Sequence, residues 1–151
     1  MLSSCSERPW RGHLEQTIVL VAAHHAEIRQ LLTIMLQKAN FRVITASNAD
    51  EALYLLRNQE RIDFVLTDVN LVGGSITGIG LAELVRHENP ATKVLLMSGL
   101  PESQELAAER GLPIVSKPFV PTVLIQRIRG MLAEIPAQIR QTKRWWHERK
   151  C

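Results

Sequence analysis

Cysteine is scarce in this sequence: Cys5 and Cys151 are the only two, at opposite ends of the 151 residues. A disulfide framework of the kind that holds small secreted domains is therefore ruled out. One bridge between the two is conceivable on paper, but two free thiols in a reducing cytosol are the expected state. Long apolar runs are missing too, and none approaches the ~18 residues needed to span a bilayer. Met1 to Gln16 carries Glu7, Arg8, Arg11, His13 and Glu15 without a hydrophobic h-region, so it does not read as a secretory signal. No P-loop, no Cys/His zinc spacing and no Gly-x-Ser-x-Gly elbow occurs, which leaves those chemistries without a motif.

What is present is ordinary for a globular chain: 46% hydrophobic and 22% charged residues, enough for one domain with a full core. The net charge of +3 is unevenly placed. Arg140, Lys143, Arg144, Arg149 and Lys150 face only Glu148 in the last fifteen residues, so the remaining body is slightly acidic. The high pI belongs to the tail, and pI alone makes no case for nucleic-acid binding by the body.

Five short apolar runs alternate with helix-like segments. The runs are Thr17–Ala22, Phe41–Thr45, Asp63–Thr67, Lys93–Met97 and Pro113–Val115, rich in Val, Ile and Leu. The first and third are nearly continuous, as parallel strands buried on both faces should be. Between them, apolar residues recur at helical spacing. The stripes are Ile28, Leu31, Leu32, Met35 and Leu36; then Ala52, Leu53, Leu55 and Leu56; then Ile79, Leu81, Leu84 and Val85. A weaker helix is expected at Ser103–Arg110 and a fifth from Thr122 to Ala133. Ser47 or Asn48 before Glu51, and Glu102 and Ser103 after Pro101, supply helix starts.

Strict β/α alternation implies a parallel sheet with helices on both faces and right-handed crossovers. In such a sheet, function sits beyond the carboxyl ends of the strands. Those ends carry Ala23-His24-His25, Asp68-Val69-Asn70, Ser98-Gly99 and Ser116-Lys117-Pro118. An acid, a hydroxyl and a lysine thus converge on one edge. An aspartate there can attack a phosphoryl group only if charge on the transferring oxygens is neutralised. Lys117 and Ser98 are the groups placed to do so. The plain alternatives are a Lys117–Asp68 salt bridge without chemistry and a Ser98 hydroxyl bonded to local backbone.

Asp63-Phe64-Val65-Leu66-Thr67-Asp68, Ser98 thirty residues on, Lys117-Pro118-Phe119 and Asn48-Ala49-Asp50-Glu51-Ala52-Leu53 together resemble the receiver domains of two-component response regulators. The resemblance runs from about Thr17 to Ala133. It implies a flavodoxin-like (βα)5 fold, a doubly wound parallel five-stranded sheet in order 2-1-3-4-5. It also implies a phosphoacceptor at Asp68, a switch hydroxyl at Ser98, a phosphate-facing Lys117 and a cis peptide before Pro118. In the family the backbone carbonyl at Asn70 and two adjacent carboxylates complete a Mg²⁺ site. Here the positions of those carboxylates hold Ala23 and His24. Ala23 supplies no ligand and an imidazole suits Mg²⁺ poorly, so Mg²⁺ binding at Asp68 and Asn70 is expected to be weak or lost. Asp68 and Lys117 already sum to zero charge without metal. A protonated His24 beside a phosphoryl group would supply part of the missing positive charge, whereas His24 and His25 also read as exposed residues leading into a helix. A transition-metal site from His24, His25 and Asp68 offers only three ligands.

Two further departures concern the loop and the switch. Leu71-Val72-Gly73-Gly74-Ser75-Ile76-Thr77-Gly78 is longer than usual for the family, and its three glycines make it mobile or able to take positive φ above Asp68. Ile114 stands where the family often has an aromatic switch residue, and packing in or beside the strand is its plainer role. Beyond Ala133, Pro136 fits the first turn of a new helix with Ile135, Ile139, Thr142 and Trp146 on one face. Trp145 and Trp146 beside basic residues suit a partner surface, an anionic membrane or nucleic acid, and equally a solvated tail whose tryptophans fold back.

The organisation expected is an N-terminal extension (1–16), a receiver domain (17–133) and a basic tail (134–151). The functional expectation is a stand-alone, cytoplasmic receiver, a phosphoacceptor rather than an enzyme. Its partners would be a histidine kinase or phosphotransfer protein, an unidentified downstream protein and possible homodimer contacts. The rivals are a phosphorylation-independent pseudo-receiver and a flavodoxin-like cofactor binder, for which Ala23-His24-His25 is a poor phosphate loop.

Overall fold

A strand flanked on both sides by other strands and covered above and below by helices is buried along nearly its whole length and favours apolar residues, and three runs of this chain, IVLVA, FVLTD and KVLLMS, are apolar through their middles. They are the inner strands of a parallel sheet in the computed structural model, which describes residues 16–59 and 61–134. The elements are β1 (Ile18–Ala22), α1 (Ala26–Lys38), β2 (Arg42–Ala46), α2 (Ala49–Asn58), β3 (Phe64–Asp68), α3 (Gly78–Glu88), β4 (Lys93–Ser98), α4 (Pro101–Glu109), β5 (Ile114–Ser116) and α5 (Pro121–Ala133). The sheet runs β2-β1-β3-β4-β5, every pairing parallel. This is the order expected. Each strand begins and ends within one residue of its expected place. The segments called the N-terminal extension and the tail lie, apart from Gln16 and Glu134, outside the described residues.

The pleat divides the core in two. Val19, Val21, Phe64, Leu66, Leu95 and Met97 face α1 and α5, meeting Leu32, Leu36, Leu124 and Ile128. Leu20, Val65 and Leu96 point the other way, onto Ala52 of α2, Leu81 and Val85 of α3 and Ala107 of α4. All five residues of β3 are buried, whereas β2 and β5 keep exposed positions as edges do. Burying each of these leucines is worth roughly 1.5–3 kcal/mol.

Helix starts follow local chemistry, with one correction. Asn48 caps α2, its side chain accepting from the Glu51 N–H at 2.8 Å. The Glu51 carboxylate reaches back to the Ser47 N–H at 2.8 Å and its hydroxyl at 3.0 Å. Both candidate residues therefore take part. For α4 the expected Glu102–Ser103 start is displaced: Pro101 occupies the first turn, Leu100 precedes it without a side-chain cap, and Ser103 is buried.

The Ser47 backbone bond, then the Ser47 hydroxyl, hold the Glu51 carboxyl below its ordinary value. A depressed folded-state value stabilises the fold at pH above the unfolded carboxyl's titration, and that contribution is lost as pH falls through the folded value. Glu51→Gln is therefore expected to flatten the acid limb of stability against pH below about 4.3. At neutral pH it should cost no more than about 0.5 kcal/mol, because the carboxylate is solvent-screened. Urea unfolding across pH 3–7 checks this; an unchanged acid limb would remove the capping contribution.

Candidate functional site

Register alone brings three of the expected site residues together. Asp68 is the last residue of β3 and pairs with Met97, which puts Ser98 one step further along the same edge. Ser98 pairs with Ser116 of β5, and the next residue is Lys117, whose N–H donates to the Ser98 carbonyl at 2.9 Å. The Lys117 Nζ donates to Asp68 Oδ1 at 2.5 Å. The Asp68 side chain is 7% exposed and that of Lys117 33%, so the pair sits at the floor of an opening, with the ammonium toward solvent. The peptide bond before Pro118 is cis, as expected.

Ser98 is buried, and its Oγ accepts from the Leu100 N–H at 3.0 Å. The local-backbone role is thus real. Because the hydroxyl acts there as acceptor, its own proton remains available to donate. The Lys117–Asp68 salt bridge is likewise real.

The first turn departs from an acidic site in its geometry as well as its residue types. Ala23 is fully buried, its methyl group packed in the apolar cluster with Val21, Leu32 and Met97. Its carbonyl accepts from Arg29 Nη1 at 2.7 Å, and the His24 carbonyl accepts from the same nitrogen at 3.0 Å. The His24 ring is exposed and lies edge-on to His25, centroids 5.0 Å apart. Among the described residues no three His, Cys, Asp or Glu side chains are placed to share a metal ion, so His24, His25 and Asp68 do not form the three-ligand site considered above. Among the described residues Asp68 is the carboxylate at this edge, and it is already paired with Lys117. With Asn70 exposed and apolar core at Ala23, this donor set does not fit Mg²⁺, a hard cation that wants several oxygens.

The glycine-containing loop takes up one of its two expected properties, a positive φ. Of its three glycines only Gly73 takes a positive φ, +92°. Leu71 is buried. The Ser75 hydroxyl donates to Asp50 Oδ1 at 2.7 Å, and the Ser75 N–H lies 3.2 Å from Oδ2, which straps the loop to the start of α2. Thr77 then caps α3 by accepting from the Gly80 N–H at 3.1 Å. Gly78 is needed for close approach: a Cβ there would lie 1.8 Å from the Asp68 carbonyl oxygen. Ile114 is partly buried against the core, the plainer of its two expected roles. The Arg29 clamp, the Ser75–Asp50 strap and the Gly78 contact were not foreseen. Only the last left a trace, as one of three glycines near Asp68.

Residues 19–129 match the family model of the response regulator receiver domain. The chain is 33% identical over 119 residues to the hydrogenase transcriptional regulatory protein HoxA of Cupriavidus necator, covering 76% of this chain and 24% of HoxA. Among solved structures it resembles the chemotaxis response regulator CheY4 of Vibrio cholerae, with a TM-score of 0.66 at 28% identity, over 76% of this chain and 97% of CheY4. The receiver domain of NtrX from Brucella abortus gives a TM-score of 0.70 at 27% identity, over 77% and 98%. The curated relatives it matches are longer proteins, of which the chain spans about half or less.

Proposed function

This chain belongs to the response regulator receiver family, and from that premise we propose that it is an atypical receiver in two-component signalling, accepting a phosphoryl group on Asp68 and signalling through protein contacts. The observation that carries the reading is the Lys117 ammonium on the Asp68 carboxylate, with the Ser98 hydroxyl at the neighbouring strand end. The donor is a phosphohistidine of a kinase or phosphotransfer protein, which places the work in the cytoplasm. An Asp68 carboxylate oxygen attacks phosphorus as the P–N bond breaks, and its electron pair stays on the donor's ring, which already carries a proton on its other nitrogen and so leaves as neutral imidazole. Lys117 follows the negative charge onto a phosphoryl oxygen and Ser98 donates to another. The chain is an acceptor of the group rather than a turnover enzyme. With no metal to polarise the acyl phosphate, hydrolysis slows along with transfer, so the phosphoaspartate is long-lived.

The second reading, a pseudo-receiver that works unphosphorylated, is favoured by the buried Ala23 methyl and by the neutral resting pair. Acetyl-phosphate labelling followed by intact mass separates the two. The wild type is expected to gain one phosphoryl group in the presence of EDTA as well as Mg²⁺, and Asp68→Asn none. No gain with any donor, from protein that remains folded, would leave the pseudo-receiver.

A further inference from the structure

At the end of the sheet away from Asp68 the strands begin, and there β5 is too short to cover its neighbour. β4 starts at Lys93, but its pairing with β5 begins only at Leu96 opposite Ile114. The ladder alternates. Lys93 donates its N–H to the Asp63 carbonyl on the β3 side, and Leu96 donates to the Pro113 carbonyl on the β5 side. Val94, two residues before Leu96, therefore turns its own N–H and C=O toward the β5 side, below the point where β5 starts. Pro113 has no N–H to offer the Val94 carbonyl.

That stretch of strand edge borders a cleft of about 310 Å³. Its apolar wall is Ala82, Val94, Leu112 and Met131, all buried. Around it stand three cations, Arg86, Lys93 and Arg127, against one acid, Glu134. The acid is mostly solvated and, among the described residues, lies 3.8 Å from Lys93. Arg86 is held in place by two neutral carbonyls, Gly111 at 3.2 Å and Arg110 at 3.0 Å, which orient the guanidinium without cancelling its charge. Among the described residues neither Arg86 nor Arg127 has a carboxylate partner.

We propose that this cleft is a binding site for a small organic carboxylate, its apolar body on Leu112 and Met131 and its carboxylate among Arg86, Lys93 and Arg127. The volume lies at the lower end of the ~300–1,000 Å³ range of small-molecule sites, and an apolar wall with a few convergent polar groups is their usual composition. Guanidinium forks suit the planar carboxylate. Clustered like charge beside a low-dielectric wall creates a positive potential that an anion relieves. The apolar wall selects an organic anion over an inorganic one. The site shares no residue with the Asp68 pocket and stands whether or not Asp68 is phosphorylated.

The test is amide NMR on the full chain at constant ionic strength, titrated with benzoate and hexanoate, with sodium chloride and inorganic phosphate as controls. Saturable shifts at the Val94 and Leu112 amides with the organic anions, absent with both controls, are expected. Arg127→Glu, an exposed change that leaves the core untouched, should weaken that binding about tenfold or more, the scale of reversing one charge in a partly solvated site. Equal response to phosphate or chloride, no shift up to millimolar anion, or binding indifferent to Arg127→Glu would each overturn the assignment. A response only to an acidic peptide would move the cleft to a protein partner and overturn it equally.

Discussion

Gly78→Ala is expected to cost more than about 4 kcal/mol, enough to leave the chain largely unfolded if its stability lies in the usual ~5–15 kcal/mol range. The added Cβ would lie 1.8 Å from the Asp68 oxygen, 2.8 Å from its carbonyl carbon and 2.9 Å from the Val69 Cα. All three are backbone atoms, so no side chain can swing aside. Relief requires either β3 or the start of α3 to move, and β3 is buried throughout its length. The Gly78 N–H bond to the Val69 carbonyl, 2.9 Å, would be disturbed by the same movement. Gly73→Ala is the matched control: φ is +92° but nothing lies within 4 Å of the new methyl, so only the conformational cost of about 1–2 kcal/mol applies. Urea unfolding of the two variants decides the matter. Equal losses would mean that loop conformation, and not contact with the Asp68 backbone, sets the requirement for glycine.

The second large effect is a gain. Ala23→Asp combined with His24→Asp should make the chain gain markedly more stability from Mg²⁺ than the parent does. Without the ion the double variant is expected to be less stable than the parent, because Ala23 is fully buried and a carboxylate there loses water beside the Asp68 charge. With the ion the three carboxylates become a ligand set of the hard, oxygen-rich kind. Saturating to about a hundred times Kd would return roughly 2.7 kcal/mol by mass action. Thermal unfolding with and without MgCl2, with calcium as a second cation, reads the effect directly. A parent protein that responds to Mg²⁺ as strongly as the double variant would mean that the pocket already holds the ion without the acidic pair.

The frame of the protein was readable because burial leaves a pattern. Phe64–Asp68 and Ile18–Ala22 are apolar almost without a break, and both lie in the middle of the sheet. The meeting of Asp68, Ser98 and Lys117 was readable for the same reason, since strands in parallel register deliver the residues at their ends to one edge. What could not be read depends on atoms far apart in sequence. Ser75 finds Asp50 across twenty-five positions. Arg29 bonds carbonyls whose direction is set by the turn and not by residue type. The start of α4 was misplaced because Glu102 and Ser103 look like helix starts wherever they occur, while Pro101 had already fixed the first turn one residue earlier.

The brevity of β5 also bears on how the sheet ends. An exposed edge strand is a template on which another chain can add, and proteins that stay dispersed blunt it. Here the outermost strand is three residues long, with Pro113 immediately before it and Pro118 two residues after it. An approaching strand would meet few free N–H groups and no length over which to pair. The opposite edge, β2, opens with an exposed arginine and keeps Thr45 exposed, so it too offers an interrupted apolar surface. The shortness of β5 thus guards the fold against growing sideways into fibres, and lengthening β5 by replacing Pro113 would trade solubility for a longer sheet.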